Sequence, residues 1–207
     1  PVLLQGRPVS PSAPAVPRAL LEGEGCSLCL CLTGETLEQD LQAAERHRGL
    51  VDLVELRADR LRPGELSALH RFPRRCALPA ILTLRRPRDG GGFAGEESSR
   101  RGLLVRGLRG GFAAVDLEED LRDPTLRAAA RRAGSAVIRS LHETGGVSKS
   151  LPARVRALPH EPGELPKAVL EPRGGEDLVR LARAFGELAG VPKVLIGLGE
   201  RGLFTRV

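Results

Sequence analysis

Residues 136–142 have the sequence Ala-Val-Ile-Arg-Ser-Leu-His and residues 165–170 the sequence Leu-Pro-Lys-Ala-Val-Leu. Both runs are short, apolar and bounded by Gly, Pro and charged residues, which is the pattern of β-strands. His142 therefore ends one predicted strand, and Lys167 lies inside the next. A proton-carrying histidine beside a potential amine nucleophile is typical of enzymes that form Schiff bases.

The scarcity of lysine makes Lys167 stand out. Among 32 Lys and Arg residues, only Lys149, Lys167 and Lys193 are lysines. Arginine stays protonated and forms no imine, whereas a buried lysine loses its proton more readily. Since only Lys167 lies within an apolar strand, we expect burial to lower its pKa towards neutrality. The alternative is an edge-strand lysine that faces solvent.

Composition restricts the class of protein. A chain of 207 residues can bury a sizeable core and is most simply one domain. No apolar run is long enough to span a membrane and no secretory signal pattern is present, so the prediction is a cytoplasmic protein without a membrane partner. The net charge of +6 permits a nucleic-acid partner, but five Phe with no Trp or Tyr offer no stacking platform. We therefore predict no nucleic-acid partner.

The four cysteines are Cys26, Cys29, Cys31 and Cys76. Three of them crowd onto one short strand, where they cannot surround an ion easily, and no paired His/Cys ligands lie elsewhere. The prediction is reduced core cysteines, with no metal and no cofactor.

Apolar runs alternate with helical patterns along the chain, which predicts a parallel α/β fold. Residues 1–24 are interpreted as an N-terminal extension or a strand pair that caps the fold, and residues 25–207 as the main domain. Thr36 is a predicted helix N-cap. The predicted strands cover residues 28–32, 51–57, 80–85, 113–118, 136–142, 166–171 and 194–197; the predicted helices begin at 37 and cover 64–72, 96–108, 124–133, 148–158 and 176–188.

The phase of polar residues within the strands favours a barrel over an open doubly wound sheet. Glu55 and Arg57 share one face of the second strand, and Ser140 and His142 share one face of the fifth. Because helices after every strand should cover the outside, these polar faces are predicted to point into a shared interior. The predicted fold is a (β/α)8 TIM barrel whose active site lies at the C-terminal ends of the strands.

Several segments in order resemble the motifs of type I 3-dehydroquinate dehydratases. They are Val54-Glu55-Leu56-Arg57-Ala58-Asp59, Thr83-Leu84-Arg85 followed by Asp89-Gly90-Gly91, Val115-Asp116-Leu117-Glu118, Ser140-Leu141-His142, Lys167, and Gly199-x-x-Gly202-x-x-Thr205-Arg206. The resemblance implies a shikimate-pathway lyase that dehydrates 3-dehydroquinate through a lysine imine. The sequence departs from the family at Asp89, where Glu is usual, and the eighth strand with its substrate-covering loop has no counterpart.

By this resemblance, Lys167 is the Schiff-base lysine and His142 the general acid/base. Glu118, with Glu143 as an alternative, is expected to hold the tautomer of His142. The expected substrate-binding residues are Arg206 for the carboxylate, Arg57 and Arg85 for other oxygens, Glu55 for hydroxyls, and Asp89. Ion pairs Arg57–Asp59 and Arg85–Asp116 are the structural alternative. The family also leaves open a homodimer, a fusion to shikimate dehydrogenase and, in a plant, a plastid location.

Three other functions remain open on the sequence. Gly197-x-Gly199-x-x-Gly202 after the last strand fits a dinucleotide-binding fingerprint, although the acidic residue required about twenty residues later is absent. The same glycines fit a phosphate-binding loop of a Schiff-base aldolase. Because the eighth strand has no counterpart, a non-catalytic barrel remnant that serves as a scaffold is the third alternative.

Overall fold

The computed structural model describes residues 26–206, which form one parallel sheet of seven strands. The strands follow chain order, and each pairs in parallel with the next. The N-terminal extension predicted for residues 1–24 lies outside the described residues. The strands are β1 (Cys29–Leu32), β2 (Leu53–Arg57), β3 (Ala80–Thr83), β4 (Ala114–Glu118), β5 (Ala136–Glu143), β6 (Leu165–Leu170) and β7 (Val194–Gly197).

Six α-helices and four 3-10 segments connect the strands within the described residues. The α-helices are α1 (Leu37–His47), α2 (Phe72–Arg75), α3 (Glu97–Leu108), α4 (Pro124–Ala133), α5 (Leu151–Ala157) and α6 (Gly175–Glu187). The 3-10 segments are Ala58–Arg60, Pro63–Arg71, Pro87–Asp89 and Leu203–Thr205.

Local chemistry explains where these helices begin and where two predictions were wrong. Thr36 is the predicted N-cap of α1, and its hydroxyl accepts from the Gln39 backbone N–H at 3.2 Å. The helix predicted at 64–72 is instead the 3-10 segment Pro63–Arg71, followed by the single turn of α2. Pro73 lacks the N–H that a continuous α-helix would use there. Helix α5 begins three residues late because Pro152 fits only in a first turn.

The outer face of the sheet packs against the helices. Leu56, Leu82 and Leu117 of the strands belong to one buried apolar cluster with Leu104 of α3 and Leu126 of α4. Each is at most 1% exposed. Burial of a leucine side chain contributes about 1.5–3 kcal/mol, so this outer layer holds the helices to the sheet.

The inner face carries a second, smaller apolar cluster at the N-terminal ends of the strands. We call it the barrel base; its members are Leu53, Ile81, Ala113, Ala114, Ile138 and Leu165. Two positions beyond Leu53, Ile81, Ala114, Ile138 and Leu165, the inward residues are polar: Glu55, Thr83, Asp116, Ser140 and Lys167. The interior therefore changes from apolar to charged towards the C-terminal ends of the strands.

Side-chain contacts across the interior show that the sheet is curled. Lys167 Nζ of β6 lies 3.1 Å from Glu55 Oε1 of β2 and 2.9 Å from Asp116 Oδ2 of β4. In a flat sheet, four strand spacings of about 4.8 Å would place β2 and β6 roughly 19 Å apart. The (β/α) barrel prediction is therefore confirmed over the open doubly wound sheet. Within residues 26–206 no eighth strand lies between β7 and β1.

Strand β1 was predicted to be buried, but two of its four residues are exposed. Leu28 beside it is 52% exposed, and Cys29 and Cys31 are exposed. The prediction of core cysteines is correct for Cys76 and wrong for Cys26, Cys29 and Cys31, although all four are free thiols. The reason is that β1 is an edge strand, paired on one side only among the described residues.

Within residues 26–206, no helix combines the length and the apolarity that crossing a bilayer requires.

Candidate active site

Lys167 lies in the interior of the curled sheet and is 5% exposed. Strand alternation places it on the same face of β6 as Leu165 of the barrel base, two residues nearer the C-terminal end. Its ammonium group donates to both oxygens of Glu55, at 3.1 and 3.2 Å, and to Asp116 Oδ2 at 2.9 Å. The alternative of a solvent-facing edge lysine is therefore wrong.

The charge state of Lys167 differs from the expectation. Burial alone lowers the pKa of its amine, as predicted, but the carboxylates of Asp116 and Glu55 outweigh burial and raise the pKa above its ordinary value. At neutral pH the amine is held as an ammonium ion between two carboxylates. A reaction at Nζ must therefore begin by transferring a proton to a neighbouring group.

Asp116 is the centre of the polar network. In addition to the contact with Lys167, its carboxylate accepts a hydrogen bond from Ser140 Oγ at 2.6 Å and forms an ion pair with Arg85 Nη2 at 2.8 Å. The side chain is 2% exposed. Burial raises its pKa, yet the cations Arg85 and Lys167 lower the pKa well below its ordinary value. Asp116 therefore stays ionised and holds Arg85, which follows β3, together with residues of β5 and β6.

His142 ends the same face of β5 as Ser140. Its Nδ1 lies 2.8 Å from Arg85 Nη1, and Arg85 Nη1 also donates to Ser140 Oγ at 3.2 Å. Burial and the Arg85 charge lower the pKa of His142 to about 3, with Asp116 acting in the opposite direction. The imidazole is therefore neutral at physiological pH.

Neither Glu118 nor Glu143 makes the expected contact with His142. Glu118 forms an ion pair with Arg100 Nη1 at 3.1 Å, and the carboxylate of Glu143 binds Arg154. Glu118 ends β4 beside Arg100, a fully buried arginine that also donates to the carbonyl of Leu84 at 2.8 Å. In this structure Glu118 thus neutralises Arg100, and Arg85 occupies the place expected for a carboxylate.

The arginine of β2 is fixed by its neighbour. Arg57 Nε and Nη2 donate to the two oxygens of Asp59 at 2.9 and 2.7 Å, in the ion pair that the sequence offered as an alternative. Asp59 Oδ2 also accepts from the backbone N–H of Gly92 at 2.9 Å. Asp59 thereby joins β2 to the loop that follows β3.

That loop carries Asp89 and needs glycine for close packing. A Cβ at Gly91 would lie 2.1 Å from the carbonyl oxygen of Arg85, so no larger residue fits. Asp89 accepts from Arg86 Nε at 2.7 Å and is not hydrogen-bonded to Lys167 or His142. The structure therefore places Asp89 at the rim of the site, where Arg86 holds it.

Arg206 lies on a compact loop after β7. Its Nη2 donates to the Gly199 carbonyl at 2.7 Å, and its side chain is exposed. Thr205 Oγ1 accepts from the Gly197 N–H at 2.8 Å and donates to the Gly202 carbonyl at 2.7 Å. The threonine hydroxyl therefore closes the loop that ends in Arg206.

The same contacts give the glycine fingerprint a structural explanation. A Cβ at Gly202 would lie 2.2 Å from the carbonyl carbon of Gly197, so the two glycines pack against each other. Glycine is required here by the fold of the loop itself. The pattern therefore does not by itself favour a dinucleotide or a phosphate ligand.

A sequence profile described as type I 3-dehydroquinase matches residues 28–207. The chain belongs to the type I 3-dehydroquinase family. A 3-dehydroquinate dehydratase of Desulfotalea psychrophila is 27% identical over 187 residues, which cover 87% of this chain and 81% of that protein. The crystal structure of 3-dehydroquinate dehydratase from Geobacillus kaustophilus superposes with a TM-score of 0.77 at 25% identity, covering 87% of this chain and 76% of that one.

A further relative has a second activity in its name. The bifunctional 3-dehydroquinate dehydratase/shikimate dehydrogenase of Arabidopsis thaliana, described as chloroplastic, is 26% identical over 174 residues. The match covers 81% of this chain and 28% of that protein. Fusion to a dehydrogenase thus occurs among the relatives of this 3-dehydroquinase chain.

Within this family member, the structure brings five of the eight predicted site residues close to the central network and leaves three outside it. Lys167, His142, Glu55, Arg85 and Arg57 line the interior, whereas Glu118, Asp89 and Arg206 are held by other partners.

Three interior residues contribute contacts that the sequence argument did not assign. The sequence predicts Asp116 as a partner of Arg85, and in the structure it also contacts Lys167. Ser140 bonds Asp116, and Thr83 Oγ1 donates to Glu55 Oε1 at 2.6 Å. Their common signal is strand phase, since each lies on the inner face of its strand.

The described part of the chain has no grouping of three or more His, Cys, Asp or Glu residues that could hold a metal ion.

Proposed function

We propose that this chain dehydrates 3-dehydroquinate to 3-dehydroshikimate, a step of the shikimate pathway, through an imine on Lys167. Membership of the type I 3-dehydroquinase family supports the overall reaction. The observation that carries the mechanism is the position of Lys167: a buried amine with Asp116 and Glu55 at hydrogen-bond distance and His142 at the end of the adjacent strand. An amine nucleophile with carboxylates able to take its proton suits attack on a ketone.

The first step is imine formation. An ammonium ion and a ketone give a protonated imine and water, so two protons pass from nitrogen to the departing oxygen. Asp116 and Glu55 contact Nζ and are the groups that can accept a proton from it. Attack by the neutral amine then forms the carbon–nitrogen bond, and loss of water leaves a cationic C=N group.

The second step is elimination. The protonated imine withdraws electrons, which acidifies the neighbouring C–H. His142 removes that proton to give an enamine, and the enamine expels the β-hydroxyl group, to which His142 returns the proton as water leaves. Hydrolysis of the imine then releases the product and restores the lysine. The reaction is balanced without an oxidant or a cofactor.

Substrate binding is assigned to groups at the C-terminal ends of the strands. We assign the substrate carboxylate to Arg206, other oxygens to Arg57 and Arg85, and hydroxyls to Glu55, with Asp89 at the rim. Guanidinium groups bind carboxylates through two parallel hydrogen bonds. Asp59 supports this assignment for Arg57 because it fixes the guanidinium orientation through both of its oxygens.

The cellular setting is also part of the proposal. We assign the chain to the cytoplasm, or to a plastid in a plant. A homodimer and a fusion to shikimate dehydrogenase, as in the Arabidopsis thaliana relative, stay predictions for this chain.

Borohydride trapping tests the mechanism directly. The protein is incubated with 3-dehydroquinate, reduced, and mapped by peptide mass spectrometry; we expect a substrate-sized adduct on Lys167. Lys167→Ala is the matched control and should carry no adduct. A folded sample that gives neither adduct nor product would favour the non-catalytic scaffold instead.

A further inference from the structure

Arg85 is the one side chain hydrogen-bonded to the His142 ring in the described part of the chain. It is 3% exposed, and its guanidinium contacts Asp116 at 2.8 Å, Ser140 at 3.2 Å and His142 Nδ1 at 2.8 Å. All three partners can accept a hydrogen bond. The guanidinium is therefore anchored by the carboxylate while one N–H group points at the imidazole.

This contact determines which ring nitrogen carries the proton. A guanidinium group only donates and stays charged in proteins. Nδ1 must therefore present its lone pair to Arg85, and a neutral ring then carries its proton on Nε2. The charged groups that act on the ring are Arg85 of the β3 end, Asp116 of β4, Lys167 of β6 and Arg57 of β2. Three of these four are cations, which disfavours a second proton on the ring.

We propose that Arg85 is a positioning residue that fixes resting His142 as the neutral Nε2–H tautomer, so that His142 first meets the substrate as a hydrogen-bond donor. This inference deepens the proposed function and rests on it for the identity of the substrate. The acceptor is the oxygen of the ketone whose carbon Lys167 attacks. A neutral imidazole can polarise a carbonyl in this way without giving up its proton.

Two different groups then accept the lysine proton and donate a hydrogen bond to the substrate. Because Nδ1 is occupied by Arg85 and Nε2 already carries a proton, resting His142 has no site for a proton from Lys167. That proton goes to Asp116 or Glu55, the carboxylates in contact with Nζ. After substrate oxygens draw Arg85 away from Nδ1, the lone pair on Nδ1 is free to accept a proton, and His142 can then act as a base.

The chain contains a matched internal reference. His47 Nδ1 lies 2.9 Å from the carbonyl oxygen of Ala43. A carbonyl oxygen only accepts, so a neutral His47 must carry its proton on Nδ1. His47 and His142 are therefore expected to show opposite tautomers in the same sample, and His47 lies on α1, away from the site.

Nitrogen-15 NMR of the imidazole groups, without substrate at pH 7.5, tests the proposal, with His142→Gln used to assign the signal. We expect a protonated Nε2 and an unprotonated Nδ1 for His142, and a protonated Nδ1 for His47. In Arg85→Met, which removes the donor, His142 should lose this preference and titrate at higher pH, while His47 stays unchanged. Arg85→Lys, which keeps a donor, should move the His142 signals less.

An Nδ1–H tautomer or an imidazolium at His142 in the unsubstituted protein would overturn the proposal. So would an Arg85→Met variant, folded by circular dichroism, with an unchanged His142 tautomer. Borohydride trapping separates this result from the fate of the proposed function. An adduct on Lys167 together with the wrong tautomer rejects only the role of Arg85, and the predicted tautomer without an adduct rejects only the imine mechanism.

Discussion

The barrel base and the charged layer above it lie on the same faces of the same strands, only two residues apart. Ile138 and Ser140 are successive inward residues of β5, and Leu165 and Lys167 are successive inward residues of β6. The base is apolar and its burial stabilises the fold, whereas the layer above contains ion pairs whose desolvation largely offsets their attraction. One strand therefore supplies stability at one end and chemistry at the other.

The largest expected effect is on the chemistry of the charged layer. Lys167→Ala should abolish turnover, because Lys167 is buried in the interior and no other lysine lies there to form the imine. Lys193→Ala is the matched control, since Lys193 donates to the carbonyls of Leu188 and Val191 outside that layer. The measurement is steady-state turnover of 3-dehydroquinate. Activity retained in Lys167→Ala would reject the assignment.

The next effect concerns proton transfer. His142→Ala should lower kcat about 10²–10⁴-fold while changing KM much less, because a positioned general acid/base acts mainly in the transition state. His160→Ala, remote from the network, should leave both constants unchanged. A variant that raises KM and preserves kcat would move His142 to a binding role.

The barrel base should respond in the opposite way. Ile138→Ala removes a side chain that is 2% exposed, and we expect the free energy of unfolding to fall by about 2–5 kcal/mol. The kcat of the folded fraction should change little. Urea unfolding followed by circular dichroism measures the loss. A stable variant with strongly reduced kcat would show that the barrel base also contributes to catalysis and that stability and chemistry are not divided between the two layers.

A smaller effect concerns pH. The pKa of Lys167 is raised by Asp116 and Glu55, so the reactive neutral amine becomes more abundant as pH rises. Asp116→Asn removes one of these carboxylates and leaves burial and Arg85, which both lower the pKa. The rate of borohydride-trapped imine formation should therefore reach its plateau at lower pH than in the unsubstituted protein. An unchanged or upward-shifted profile would contradict the electrostatic account.

The smallest effect is expected at the loop after β7. Thr205→Val keeps the shape of the side chain but removes the hydroxyl that bridges Gly197 and Gly202. Each hydrogen bond contributes roughly 0.5–1.5 kcal/mol, so if the loop positions Arg206 and the loss of one bond is transmitted to it, KM should rise about two- to tenfold. Thr205→Ser should restore the original KM, and kcat should stay similar in both. Equal KM values in the Val and Ser variants would show that the Thr205 hydroxyl does not contribute to substrate binding.

Period-two alternation was sufficient to predict much of this architecture. The inward positions of Glu55, Lys167 and His142 follow from strand phase, which depends only on local sequence. Strand phase also predicts the ion pairs Arg57–Asp59 and Arg85–Asp116 as alternatives, since each pair joins opposite charges on the inward side. Local pattern thus predicted the strands, their faces and most of the residues that line the interior.

What the sequence did not predict depends on long-range geometry. The raised pKa of Lys167 arises from Glu55 and Asp116, which lie on strands distant in sequence. The pairing of Glu118 with Arg100 depends on where α3 packs against the end of β4, and no pattern in either segment specifies it. The exposure of Cys29 follows from the position of β1 at the sheet edge. Each property is determined by a neighbour contributed from elsewhere in the fold.

The contact between Lys167 and Glu55 joins residues that are 112 positions apart in the chain. Closing a long loop carries an entropy cost that must be met before the contact can stabilise the fold, so contacts of this kind slow folding. The ammonium ion of Lys167 thus gains Glu55 as a partner only after β2 and β6 have been brought together, whereas Asp116 lies on β4. During refolding, the appearance of substrate-dependent, borohydride-trappable Lys167 would therefore report that β2 and β6 have come together.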